Sequence, residues 1–214
     1  MAVIVMTREI GTLGRDVAAG LAERLKLTVV HDGLIEHGIA ERVGMLDGEV
    51  HRYFEGEATL LERWRTDKQR LARKTAEQIL ELATNGNVLI RGWGAAFLLR
   101  EISHVACVRI CAPVPFRKRV LVERGTVKDE HQAQREIGRR DSAYSAVMQR
   151  IFGFTGVETA DYALTLNTAR IPVASCVDQI VQLAAIPEFQ SKRQPNPTRI
   201  ARAPAAGSVI PCCR

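Results

Sequence analysis

Apolar positions along the chain follow two rhythms. Short, largely β-branched runs occur at 2–6 (AVIVM), 27–30 (LTVV), 87–90 (NVLI), 105–111 (VACVRIC) and 162–166 (YALTL). Longer stretches between them carry apolar residues at spacings of three and four, the period of a helix with one buried face. Five strands separated by helices imply right-handed crossovers and a mostly parallel sheet covered on both faces. The predicted class is α/β.

The longest interval without a strand signal lies between the runs at 27–30 and 87–90. Within it Leu60, Trp64, Leu71, Ala76, Ile79, Leu80 and Ala83 recur near helical periodicity, which predicts a helical insert. Its other face mixes Arg63, Arg65, Lys68, Arg70, Arg73 and Lys74 with Glu62, Asp67 and Glu77. Interleaved charge of both signs reads as a solvated helix face. After Pro187 the periodicity stops, and four of the eight prolines fall in the last 27 residues. The expectation is one folded domain over 1–187 and a disordered, basic, Pro-rich tail over 188–214.

Composition changes the picture in one respect. The net charge is +6, but the tail holds Lys192, Arg193, Arg199, Arg202 and Arg214 against Glu188 alone. The other 187 residues carry 25 basic and 23 acidic groups. A near-balanced body argues against a nucleic-acid-binding core, which needs a clustered basic face. No run reaches the roughly 18 apolar residues of a membrane span, and 2–6 lacks the basic start and length of a signal peptide. A cytoplasmic protein that does not engage membranes is expected. Its five cysteines lack the spacing of a disulfide framework or zinc site, so Cys107, Cys111 and Cys176 are expected to be buried apolar packing.

The stretch that carries chemistry follows the first strand. In EIGTLGRD, residues 9–16, two glycines precede a charged residue and an amphipathic helix. A glycine loop leading into a helix aims backbone N–H groups and the positive end of the helix dipole at one point, where anions bind. Gly11 and Gly14 are expected to supply positive φ and close approach to phosphate oxygens. Aligned on the second glycine of the G-x-x-x-x-G-K-[ST] loop, Glu9 stands for the first glycine, Arg15 for the lysine and Asp16 for the hydroxyl residue. Arginine keeps the charge and forks to two oxygens, and Asp16 is a possible ligand for a hard cation. A plain strand-to-helix turn is the competing reading of this stretch alone.

Six segments in order, MTREIGTLGRDVAAGLAERL, VVHDGLIEHGIA, VLIRGWGAAFLL, VRICAPVPFRKRV, EIGRRDSAY and YALTLNT, together resemble the cytidylate kinase-like family of P-loop nucleoside monophosphate kinases. The resemblance spans about residues 3–186. It implies a three-layer P-loop kinase fold with a five-stranded sheet, a helical insert and a lid. It also implies transfer of a phosphoryl group from ATP, with Mg²⁺, to a nucleoside monophosphate such as CMP or dCMP. Arg8, Gly11, Thr12, Gly14, Arg15 and Asp16 then fall on the loop for the donor phosphates. Asp32, Arg91, Gly92 and Trp93 fall on the acceptor side, where Asp32 is equally readable as a helix N-cap and Trp93 replaces an expected arginine. Arg135, Arg139, Arg140 and Asp141 fall on the lid, with Arg15, Arg139 and Arg140 in catalytic roles; pairing with Glu136 or Glu130 is the alternative for the lid arginines. Tyr144 stands where a second lid arginine is expected, and Ala163 where an aspartate is. No clear metal ligand emerges. These departures leave two alternatives open: a non-catalytic nucleotide-binding regulator, or a kinase for another small molecule.

Overall fold

The computed structural model of the chain describes residues 2–54, 57–58, 67–92, 94–153 and 159–190. Leu60, Glu62, Arg63, Trp64 and Arg65 of the expected insert, Trp93, and 191–214 of the expected tail lie outside the described residues.

Five strands form one sheet in the order β2-β3-β1-β4-β5: β1 Val3–Arg8, β2 Thr28–Val30, β3 Val88–Arg91, β4 Val105–Cys111 and β5 Leu164–Asn167. Every pairing is parallel, with Val3 of β1 level with Val88 on one side and Val105 on the other. Because successive side chains of a strand point to opposite faces, β1 divides its residues between two cores. Val3 and Val5 enter one, and Ile4 and Met6 the other. The fifth strand begins two residues later than its apolar run, since Thr159–Asp161 forms a 3₁₀ turn and Tyr162 and Ala163 lead in from it.

On the Ile4 face lie α1, Gly14–Leu25, and α8, Val173–Ala185. Val17, Ala18 and Leu21 of α1 and Cys176, Val177, Ile180 and Ala184 of α8 are buried at the three- and four-residue spacing that puts them on one face of each helix. Gly20 lets the two helices meet, because a Cβ there would come within 2.8 Å of a Val177 methyl. On the Val3 face lie α2, Asp32–Val43, α3, Asp47–Phe54, α4, Lys68–Thr84, and α5, Ala95–Leu99. The insert is therefore helical where described. Asp67 is exposed, as expected of a solvated face, and also caps α4 by accepting from the N–H groups of Gln69 and Arg70. The remaining helices, α6 Val114–Glu123 and α7 Glu130–Phe152, pack on each other through Leu121, Val127, Ala133 and Ile137.

Two expectations change. Cys107 and Cys176 are buried, and burial pushes the Cys107 thiol up to about 12, but Cys111 at the end of β4 is only half-buried. The folded body also continues beyond Pro187. Pro187–Phe189 forms a 3₁₀ turn, Phe189 packs against the α1/α8 core, and Gln190 bridges to Ala2 while its Nε2 donates to the Ala184 carbonyl. Composition alone missed this because Phe189 is a single apolar residue beside a polar segment.

Candidate functional site

A parallel sheet opens its ligand crevice at the carboxyl ends of the strands, beside the point where strand order reverses. Here β1 lies between β3 and β4, and the loop leaving it forms one wall of a cavity of about 500 Å³. The wall includes residues 7–15, Asp32, Gly92, Arg109, Arg124, Arg140, Asp141, Tyr144 and Met148. The end of β1, the loop, α2, the β3–α5 turn, β4, α6 and α7 all reach this one space.

The loop is held by its own chain. Thr12 is 1% exposed; its hydroxyl donates to the Glu9 carbonyl at 2.7 Å, and its carbonyl accepts from the Thr168 hydroxyl at 2.7 Å. Thr12 thus spends its side chain on closing the turn and presents main chain to the cavity. Gly11 has φ +80° and lies against α6, where a Cβ would come within 2.7 Å of the Arg117 carbonyl. Gly14 does not share that conformation. It opens α1, and the positive φ falls on Leu13, at 57°. Glycine is needed at 14 for space instead, since a Cβ would sit 2.9 Å from the Arg8 side chain. No side chain caps α1; the Asp16 N–H donates to the Leu13 carbonyl at 3.0 Å, and the N–H groups of Gly14 and Arg15 ahead of it are available to solvent or an anion.

Charge in the cavity is predominantly positive, from Arg8, Arg15, Arg109, Arg124 and Arg140 against Glu9, Asp32 and Asp141. Arg8 is the most confined. Burial pushes its guanidinium below the usual arginine range, Asp32 opposes that shift, and the positive charges of Arg91, Arg15 and Arg140 add to it. Crowded guanidiniums with little solvent are stabilised by an anion among them. Asp32 lies at the first turn of α2 with its Oδ2 3.7 Å from Arg8 Nη2; the N-cap position belongs to His31. Gly92, at φ +100°, makes room for this carboxylate, because a Cβ would fall 1.7 Å from Asp32 Oδ1.

The residues expected on the donor and acceptor sides separate accordingly. Arg8, Gly11, Thr12, Gly14, Arg15, Asp32 and Gly92 converge on the cavity, whereas Asp16 turns to Arg124 at 2.8 Å and Arg91 stays off the wall with its buried Nε unpartnered. On α7, Arg140 and Asp141 line the cavity and Arg135 and Arg139 do not. Arg135 bonds His131, one turn earlier. Glu136 accepts from Arg139 and Arg140, at 3.0 and 2.6 Å, and these bonds hold its carboxyl down to about 2. Arg139 also reaches Glu57 at 2.6 Å.

Three residues at the site carried no role in the sequence. Arg117, 3% exposed, donates through both terminal nitrogens to Asp141 and through Nε to the Ile10 carbonyl. Arg109 donates to Glu9 at 2.7 Å. Tyr162 bonds Thr7. Helical phase is the signal that would have singled out Arg117 within FRKR, since it lies three and four residues before the buried Val120 and Leu121.

Among the described residues no three His, Cys, Asp or Glu side chains gather where a metal ion could sit, and no helix is long and apolar enough to cross a membrane.

Comparison with known proteins bears on this site. The chain is 27% identical over 178 residues to a cytidylate kinase of Pyrobaculum aerophilum, an alignment covering 83% of this chain and 89% of the relative. Among solved structures, an uncharacterized protein from Eubacterium ventriosum superposes with a TM-score of 0.65 at 17% identity, over 85% of this chain and 97% of that one. The YorR protein of Bacillus subtilis, solved with phosphorylated GDP, superposes at 0.51 and 14% identity, over 88% of this chain and 99% of that one. The model of the cytidylate kinase-like family matches residues 3–170, from the first strand through the last, with every wall of the cavity inside the match. With its parallel sheet between two helical layers, the chain has a three-layer α/β fold and belongs to the cytidylate kinase-like family.

Proposed function

We propose that the protein transfers the γ-phosphoryl group of ATP to a pyrimidine nucleoside monophosphate, CMP or dCMP. The observation that carries this reading is the convergence of five arginines and the uncapped start of α1 on one cavity of about 500 Å³. The family and the cytidylate kinase relative support nucleotides as the anions concerned. Phosphoryl transfer asks little covalent chemistry of a protein: it needs in-line positioning, charge neutralisation and exclusion of water.

The loop and α1 fit a triphosphate. Gly11 brings main chain close to phosphate oxygens, Arg15 stands at the place of the usual lysine, and Arg8 and Arg124 flank it. Asp32 and Gly92 form the opposite side, where an acceptor monophosphate would sit with Arg8 between the two. Arg140 projects from α7 onto the same space and meets charge that develops on the transferring group. Arg139 steadies Arg140 indirectly, through their shared partner Glu136. Glu9, Asp32 and Asp141 are each within ion-pair distance of an arginine. The described residues therefore suit ATP's phosphates but offer Mg²⁺ no dedicated carboxylate, and the ion would be held by phosphate oxygens and water.

Tyr144 favours a second reading. It lines the cavity where the family resemblance leads one to expect an arginine, and burial raises its hydroxyl pKa above the usual tyrosine range, so it supplies no charge there. On that reading the protein is a non-catalytic nucleotide-binding regulator. A coupled ADP-release assay across CMP, dCMP, UMP and AMP separates the two. Release that depends on CMP or dCMP supports the kinase, and ATP binding with no release for any acceptor supports the regulator.

A further inference from the structure

We infer that Arg117 is a positioning residue that couples the phosphate loop to the lid helix α7, so that an anion seated on the loop sets the placement of Arg140. The inference builds on the kinase reading only in taking the anion to be ATP. Arg117 stands on α6, does not line the cavity, and its side chain is 4% exposed. Among the described residues, the directed contacts of its side chain go to the loop and to α7. Nε donates to the Ile10 carbonyl at 2.7 Å, and Nη1 lies 3.4 Å from Glu9 Oε2. Nη1 and Nη2 donate to the two oxygens of Asp141 at 2.9 and 2.8 Å.

Asp141 immediately follows Arg140, which lines the cavity. One buried guanidinium thus joins two loop residues of the cavity wall, Glu9 and Ile10, to the helix turn that carries Arg140. Packing repeats the connection, since Ile10 of the loop lies against the cluster formed by Leu121 of α6, Val127, and Ala133 and Ile137 of α7. Backbone contact repeats it again, through the approach of Gly11 to the Arg117 carbonyl.

The charges explain why this group positions instead of binding. Arg109 and Arg117 both meet Glu9, and Arg117 also meets Asp141, so two cations are balanced by two carboxylates inside the protein. The fork geometry matters: two parallel N–H···O bonds fix both the distance and the orientation of Asp141, which a lysine's single ammonium cannot do. Arg117 is buried while Asp141 sits half-exposed at the cavity wall, so a shift of Asp141 is felt by a guanidinium that has no solvent to turn to.

The test uses the full-length protein, its Arg117→Lys and Asp141→Asn variants, and amide hydrogen exchange of segments 9–15 and 136–145. Without nucleotide, Asp141→Asn on the lid helix is expected to speed exchange in the loop segment while the amides of β1 and β4 keep their rates. With ATP, the parent gains protection in both segments. Arg117→Lys keeps the gain in 9–15 and loses it in 136–145, and its kcat falls roughly ten- to a hundredfold while the KM for ATP changes little. Lid protection that survives in Arg117→Lys, or loop exchange untouched by Asp141→Asn, overturns the coupling. Should the lysine variant fail to fold, the ligand-free Asp141→Asn comparison decides from the other end. A parent that transfers phosphate to no nucleotide defeats the proposed activity, and the ligand-free comparison still judges the coupling.

Discussion

Gly92 shows how a single residue's geometry shapes the proposed acceptor side. Its φ of +100° disfavours any side chain, and the space a Cβ needs is held by Asp32. Gly92→Ala is expected to cost about 1–3 kcal/mol in stability and to raise the KM for the monophosphate far more than that for ATP; equal changes in both would detach Asp32 from acceptor binding. Glycine at this position was legible in the sequence, and its reason was not, because nothing in a linear pattern says that residue 32 packs against residue 92. Gly14 carries the same lesson in another form: the sequence leads one to expect positive φ there, but it is space beside Arg8, not backbone conformation, that calls for glycine. Glu136 makes a pH prediction. Its carboxyl is held down to about 2 by Arg139 and Arg140, from an ordinary value of 4.5. A depressed folded value stabilises the native state above the ordinary value, and that contribution is lost as pH falls toward 2. The parent should therefore lose more stability than Glu136→Gln between pH 4.5 and 2, as read by urea midpoints at each pH.

Among the elements, α7 carries several of the residues to which the proposed transfer gives a role, and its turns serve different ends. Its first turns pack on α6, its middle carries Arg139, Arg140 and Asp141, and Val147, Met148 and Ile151 are buried toward its end. The repeat in QREIGRRDSAY made the arginines visible, but a helix period cannot say which one faces the cavity without knowing what α6 covers. Arg140→Ala is expected to lower kcat by roughly ten- to a hundredfold, the worth of a charge-assisted hydrogen bond of ~1.5–3 kcal/mol, with the KM for ATP little altered. Arg139→Ala should have the smaller effect, and single-turnover rates of the two variants provide the comparison. The C-terminal segment makes a separate case. Ending the chain at Pro187 removes Phe189 from the α1/α8 core and Gln190 from Ala2 and Ala184. Loss of one partly buried aromatic side chain and its neighbour's bonds is worth about 2 kcal/mol, or roughly 4–8 °C in Tm for a chain of this size. Ending it at Gln190 keeps these contacts and is expected to leave Tm unchanged; equal melting of both truncations would show that the 3₁₀ turn contributes nothing.

For the molecule as a whole, the sheet was the most legible feature. β-branched runs of four to seven residues separated by helical periods admit few arrangements once crossovers are right-handed and both faces must be covered, and strand order β2-β3-β1-β4-β5 is one of them. The loop and its arginine were legible because a strand, two glycines and a helix lie close in sequence. What stayed hidden joins distant positions: Arg109 to Glu9 across 100 residues, and Arg117 to Ile10 across 107 and to Asp141 across 24. Only the folded sheet and the packing of α6 on α7 bring these together. The whole arrangement converges on one claim, that five arginines around a single cavity serve phosphoryl transfer between nucleotides. Its most direct test is a single-turnover reaction of the purified protein, in excess over ATP labelled at the γ-phosphorus, with CMP and Mg²⁺. The account predicts that the label moves into CDP, and that the rate drops in Arg140→Ala while ATP binding holds. A parent that binds ATP tightly yet leaves the label on ATP with CMP, dCMP, UMP and AMP alike would contradict it.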